Sequence, residues 1–137
     1  MILLMLGRLL RLTFGVWLCA AVLFASDIDG IWAGQQPGRA GMEDVAFRFK
    51  LDGQSLKGTL FGDEFDLPIS EGSFSGGQIR FVITNLNYYS GARTVFEYTG
   101  SLKAGEMELV KKRVPTVEDV AAKRPVVKQT ITLKRIN

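Results

Sequence analysis

The sequence predicts an all-β protein, a small antiparallel up-and-down β-barrel of about eight short strands. From Gly30 onward, apolar residues recur at every second position, which is the period of a strand with one buried and one exposed face. Short turns, most of them containing glycine, separate these segments and favour antiparallel neighbours. Strands of this kind close most simply into a barrel, and a two-sheet β-sandwich is the alternative.

The second strand shows the alternation most clearly. Val45, Phe47 and Phe49 alternate with more polar neighbours, and the Asp52-Gly53 pair behind them is a strong hairpin signal. The other strands are predicted around the inward positions Leu56, Leu60, Phe65, Leu67, Ile69, Ile79, Phe81, Ile83, Phe96, Tyr98, Met107, Leu109, Ile131, Leu133 and Arg135. Because so many of these side chains are aromatic, we expect them to fill the barrel. We therefore expect no continuous apolar cavity and no tight binding of fatty acids or hydrophobic dyes.

Only the segment between Pro115 and Pro125 departs from the strand pattern. Thr116 is placed as an N-cap, and Asp119 follows three residues later. The segment is therefore predicted to form a turn or two of helix before the last strand, and a plain loop is the alternative.

Residues 1–26 have the pattern of a secretory leader. Arg8 and Arg11 come before an apolar run that ends at Ala25, which is short for a membrane span of about 20 apolar residues. Cys19-Ala20-Ala21 supplies the small residues that cleavage needs, which would start the mature chain near Val22. We expect a signal peptide and a secreted or periplasmic protein. The alternative is an uncleaved hydrophobic leader helix that anchors the protein to a membrane.

Residues 27–137 are predicted to be a single domain, since about 110 residues suffice for one hydrophobic core but not for two. The chain has 17 basic and 14 acidic residues, and two of the basic ones, Arg8 and Arg11, belong to the leader. The remaining 15 basic and 14 acidic residues leave a net charge of +1, which argues against a nucleic-acid partner. Cys19 is the only cysteine, so the domain must be stable without a disulfide.

The first predicted strand opens on Gly30-Ile31-Trp32. With the meander behind it, this motif resembles the start of lipocalins and their calycin relatives. The whole domain resembles small secreted bacterial lipocalin-like domains of unassigned activity. The resemblance implies that Trp32 closes one end of the barrel and that a basic residue near the end of the last strand packs across its ring. Arg135 has that place, so Gly30, Trp32 and Arg135 are expected to be structural residues.

The residue inventory excludes the commonest catalytic sites. The chain contains no histidine, which removes Ser-His-Asp hydrolysis and histidine-ligated zinc. Asp63, Glu64 and Asp66 lie close together, but they flank a predicted hairpin turn and match no calcium-loop spacing. We therefore expect no enzyme activity, no catalytic or metal-binding residues and no cofactor.

One predicted loop has the composition of a recognition surface. Asn85, Asn87, Tyr88 and Tyr89 combine amides with aromatic rings, which can hydrogen-bond and stack on a sugar or a protein partner. The alternative is a long hairpin whose tyrosines fold over the barrel mouth.

These observations predict a non-enzymatic binding or interaction module with an unknown protein or carbohydrate partner. Its contact surface is expected at the mouth that carries Asn85 to Gly91, joined by the Pro115–Pro125 segment. We expect a monomer that meets a membrane only if its leader is uncleaved. The alternatives are a periplasmic hydrolase inhibitor, which predicts an extended arm ahead of Gly30, and a lipocalin-type small-molecule carrier, which predicts an open cavity.

Overall fold

The computed structural model describes residues 27–62 and 66–136. The predicted leader, together with Asp63, Glu64 and Phe65, lies outside the described residues. The elements in chain order are β1 Gly30–Gly38, β2 Gly41–Asp52, β3 Ser55–Phe61, β4 Leu67–Pro68, β5 Ser70–Ser75, β6 Gln78–Leu86, β7 Arg93–Lys103, β8 Glu106–Arg113, α1 Val117–Ala121 and β9 Lys128–Arg135.

Eight of these strands form a closed antiparallel barrel, and the two-residue β4 is an additional strand paired with β3. Around the barrel, each strand neighbours the strands next to it in sequence, which is the up-and-down order. β1 pairs with both β2 and β9, and β3 meets β5 through Ser55 and Ser73. The predicted barrel of about eight strands is confirmed, and the alternative two-sheet sandwich is not the architecture.

Two local predictions within the described residues are also confirmed, the alternation in β2 and the hairpin behind it, whereas Arg135, predicted at an inward position, is exposed. In β2, the residues Val45, Phe47 and Phe49 are buried, whereas Arg48 and Lys50 are exposed. The predicted hairpin joins β2 to β3 through a two-residue turn at Gly53 and Gln54.

Aromatic side chains fill the middle of the barrel. Phe81 and Tyr98 are cross-strand partners with stacked rings 4.7 Å apart, and Phe47 meets both of them edge-on at 5.6 and 5.8 Å. Phe49 stacks on Phe47 at 5.4 Å. All four side chains are at most 1% exposed. The expected aromatic filling is therefore present at this level of the barrel.

Glycines set the close approach of neighbouring strands. At Gly58, an added Cβ would clash with the backbone carbonyl of Arg48, and at Gly100 it would clash with that of Glu108. Glycine within a strand marks places where another backbone comes close. These two residues let the strands approach closely in a barrel that is otherwise filled by rings.

The predicted helix is confirmed as α1, one short turn in the connection between β8 and β9. Thr116 is its N-cap: the Thr116 Oγ1 accepts from the Asp119 amide, and the Asp119 carboxylate accepts from the Thr116 amide. This reciprocal pair is a capping box, which satisfies two amides that the first turn leaves without partners. Within the described residues, no helix is long and apolar enough to span a membrane.

Candidate binding site

The barrel has two different ends. We call the end that carries the start of β1, the end of β9 and the tight turn between β2 and β3 the closed end. The open end carries the β1–β2 turn, the β6–β7 loop and the long β8–β9 connection. The residues proposed from sequence divide between them: the three expected structural residues lie at the closed end, and the four expected contact residues lie at the open end.

The closed end is held by the residues just ahead of β1. Ile28 is fully buried, and its carbonyl accepts a hydrogen bond of 2.9 Å from Trp32 Nε1. The Asp29 carboxylate accepts from the Leu51 amide at 2.8 Å, and its carbonyl accepts from Arg135 Nη2. The described part of the N-terminal segment thus folds back against the barrel end.

Trp32 and Arg135 are register partners on β1 and β9. Trp32 is 1% exposed, whereas Arg135 is exposed even though it shares the phase of the buried Ile131 and Leu133. Gly30 begins β1 with a φ of +131°, a conformation that side-chain-bearing residues rarely adopt. Trp32 and Arg135 also line a pocket of about 560 Å³ at this end.

At the open end, the β6–β7 loop presents its tyrosines to solvent. Tyr88 is 74% exposed and Tyr89 is fully exposed. Asn87 has an internal role, because its side-chain oxygen accepts from the amides of Tyr89 and Ser90 at 3.0 and 3.2 Å. Asn85 lies within β6 with an exposed side chain. Of the two asparagine side chains, that of Asn87 therefore shapes the loop, whereas that of Asn85 does not take part in these hydrogen bonds.

The β8–β9 connection is organised around one carboxylate. Asp119 is 3% exposed, and it accepts hydrogen bonds at 3.1 Å from both Arg113 and Arg124 in addition to the Thr116 amide. The hydrogen bond from the Thr116 backbone is the largest cause that holds the pKa of Asp119 below its usual value; the side chains of Thr116 and Arg124 and the charge of Arg113 add to it. The connection is joined to the start of β7 by a bond of 2.8 Å from the Val114 amide to the Val95 carbonyl. The β8–β9 connection and the β6–β7 loop, which were predicted from the sequence to form one contact surface, thus leave neighbouring strands at the same end of the barrel.

Exposed apolar side chains are concentrated at the open end. Of the ten large hydrophobic residues that are exposed in the described part of the chain, only Ile136 lies at the closed end. The other nine are Met42, Leu86, Tyr88, Tyr89, Val114, Val117, Val120, Val126 and Val127. Single exposed apolar residues are ordinary on a protein surface, whereas these nine side chains are concentrated at one end of the barrel. We call Tyr88, Tyr89, Val117, Val120, Val126 and Val127 the rim.

The open end also contains a pocket of about 840 Å³, and Val127 of the rim is among the residues that line it. Its wall combines Phe96, Lys111 and Gln129 from the barrel strands with Val127 and Pro125 from the β8–β9 connection. Neither this pocket nor the one at the closed end is lined by any of the four stacked core rings. The filled core was predicted correctly, but the pocket above it was not, and its volume falls within the range of ordinary ligand sites.

Lys111 is the most unusual side chain of this pocket. It is half-buried, and its ammonium lies 4.4 Å from the centre of the Phe96 ring and 5.9 Å from that of Tyr98. Burial lowers the pKa of Lys111, and the charge of Glu43 partly opposes that shift. Sequence reasoning missed this residue, although a signal was present: Lys111 has the same strand phase as Met107 and Leu109, which are buried.

The fold and its open-end pocket define the class of the protein, a closed eight-stranded β-barrel with a partly polar pocket and exposed apolar side chains at the same end. Comparison with known proteins assigns nothing narrower, because no family model, no curated protein and no solved structure matches the chain. Among the described residues there is no group of three side chains suited to hold a metal ion.

Proposed function

We propose that this protein is a non-enzymatic binding module whose contact surface is the open end of the barrel. The observation that supports this most directly is the concentration of exposed large apolar side chains: among residues 27–62 and 66–136, nine lie at that end and one at the other. Such a surface costs solubility unless a partner covers it. Tyr88 and Tyr89 are suited to anchor that contact, since tyrosines are enriched among the residues that dominate binding energy.

The module belongs, in this proposal, to the lipocalin-like or calycin-type barrels, and it works as a monomer outside the cytoplasm. The closed barrel and the pairing of Trp32 with Arg135 support the resemblance, and the leader-like residues 1–26 support export. The partner is a protein or a carbohydrate. The alternative is a hydrolase inhibitor. Because Asp27 to Asp29 fold against the closed end and form no extended arm, such an inhibitor would use a loop of the open end.

A small-molecule carrier is the second candidate, and the open-end pocket of about 840 Å³ favours it. Since the stacked rings of Phe47, Phe81 and Tyr98 occupy the barrel below, such a ligand would sit in the mouth and not deep in the interior.

The test is ligand capture on immobilised protein, with exported proteins and a glycan array as the two sources. The rim variant is Tyr88→Ser combined with Tyr89→Ser, and the matched control is Ile136→Ser, which removes the exposed apolar residue of the other end. We expect a saturable ligand that the rim variant loses and the control keeps, while the rim variant unfolds at nearly the wild-type denaturant concentration. A ligand lost equally in the Ile136→Ser protein, or kept by the rim variant, would refute the open end as the contact surface.

A further inference from the structure

The open-end pocket contains a cation with no acidic partner in direct contact. Among the described residues, no carboxylate lies within 4.0 Å of the Lys111 ammonium, whose described contacts are with the Phe96 and Tyr98 rings. A half-buried ammonium has lost part of its hydration, and ring faces replace only part of that loss. An anion bound in the pocket would compensate for the rest of the lost hydration.

The charges around the pocket favour an anion. Its wall includes Arg39, Lys111 and Arg113 but only one carboxylate, that of Glu43. Arg113 is already paired with Asp119 at 3.1 Å. The remaining charged side chains of the wall are two cations, Arg39 and Lys111, and one carboxylate, that of Glu43. Glu43 is itself engaged, since one of its oxygens accepts from Gln36 Nε2 at 3.1 Å.

The pocket also limits the shape of its ligand. Phe96, Val127 and Pro125 give it apolar walls beside the ammonium. Below it the barrel is blocked, because Tyr98 and Phe81 are buried and stacked on each other. A compact apolar body therefore fits the mouth, whereas a long alkyl chain would find no cavity to enter.

We propose that the open-end pocket binds a compact organic carboxylate, whose charged group pairs with Lys111 and whose apolar body lies against Phe96 and Val127. This inference rests on the proposed function, because both place the ligand at the open end. It adds the chemical class of the ligand and the residue that selects it.

The experiment is calorimetric titration of the full-length protein with 2-naphthoate, and with 2-naphthamide as the neutral analogue of the same shape. We expect 2-naphthoate to bind with at least tenfold higher affinity than the amide. Lys111→Gln is expected to remove that preference, and Lys111→Arg to keep affinity within about threefold. The matched control is Lys112→Gln, which makes the same change of charge on the adjacent residue of β8, on the opposite strand face. It is expected to leave binding unchanged.

The outcomes separate this inference from the proposed function. Equal affinity for the amide and the acid, no binding of 2-naphthoate, or a Lys111→Gln protein that is folded and binds like the wild type would overturn the carboxylate site. Capture of a partner that depends on the rim would persist in each of these cases if the proposed function is right. Palmitate binding much more tightly than 2-naphthoate would also overturn the inference, since it would require a deep cavity.

Discussion

Trp32 and Arg135 lie directly opposite each other on β1 and β9, although 102 residues separate them in the chain. The pair joins the first strand of the barrel to the last. Around it, the Trp32 indole donates to the Ile28 carbonyl, and the Arg135 guanidinium donates to the Asp29 carbonyl. These contacts therefore hold the start of β1 and the end of β9 together at the closed end of the barrel.

We expect Trp32→Ala to cost about 3–5 kcal/mol in the free energy of unfolding, the usual range for a large buried aromatic. Arg135→Ala should cost less, about 1 kcal/mol, because its side chain is exposed and a hydrogen bond such as the one it donates to the Asp29 carbonyl contributes about that much. Urea titration of the two variants checks this order. Trp32→Ala with wild-type stability would mean that the indole is not part of the core.

Asp119→Asn should loosen the β8–β9 connection and remove an acid-sensitive part of stability. The ionised carboxylate is held by Thr116, Arg113 and Arg124, and its pKa lies below the ordinary value. Between the pKa of Asp119 in the folded protein and its higher pKa in the unfolded chain, the unfolded chain binds more protons than the folded protein. The free energy of unfolding therefore falls as the pH drops below about 4. Thermal unfolding between pH 6 and pH 2 should show the wild type losing its advantage over Asp119→Asn on acidification.

The control for that measurement is Glu118→Gln, which removes the same charge from the exposed neighbouring residue of α1. It should follow the wild-type curve. If Asp119→Asn and Glu118→Gln gave the same acid dependence, the Asp119 hydrogen bonds would contribute nothing specific.

Tyr98→Phe should reduce the loss of stability at alkaline pH. Burial raises the pKa of Tyr98 above the ordinary value of about 10. Above that pH the unfolded chain releases the phenol proton while the folded barrel keeps it, so the unfolded state binds fewer protons and stability declines. Urea titrations from pH 8 to pH 11 should show a steeper decline for the wild type than for Tyr98→Phe. Tyr89→Phe, at a fully exposed ring, should keep the wild-type slope.

Export should depend on residues 1–26. A reporter fused after Asn137 should appear outside the cytoplasm with the leader and inside without it. Mass measurement of the exported protein should then give a new N-terminus at Val22 or within a few residues of Asp27. An intact Met1 on membrane-bound protein would support the anchor instead.

The local sequence was enough to predict the strands, several turns and the helix cap of this protein. Alternation in β2 predicted which face of that strand is buried, since successive side chains point to opposite faces. The Asp52-Gly53 hairpin and the Thr116–Asp119 capping box each involve residues within four positions of one another. Such features depend on interactions between residues close together in the chain, so they can be predicted from the local sequence.

Only the tertiary structure decided which residues share an end of the barrel. Alternation gives Lys111 an inward phase, but its contact with Phe96 follows from the register of β8 against β7. In the same way, Tyr89 and Val120 lie at the same end only because the barrel closes with their two connections on the same side. Strand phase is set by adjacent residues, whereas register and closure depend on contacts across the whole chain. For that reason the sequence alone determined a filled β-barrel, and only the folded chain determined its pocket and rim.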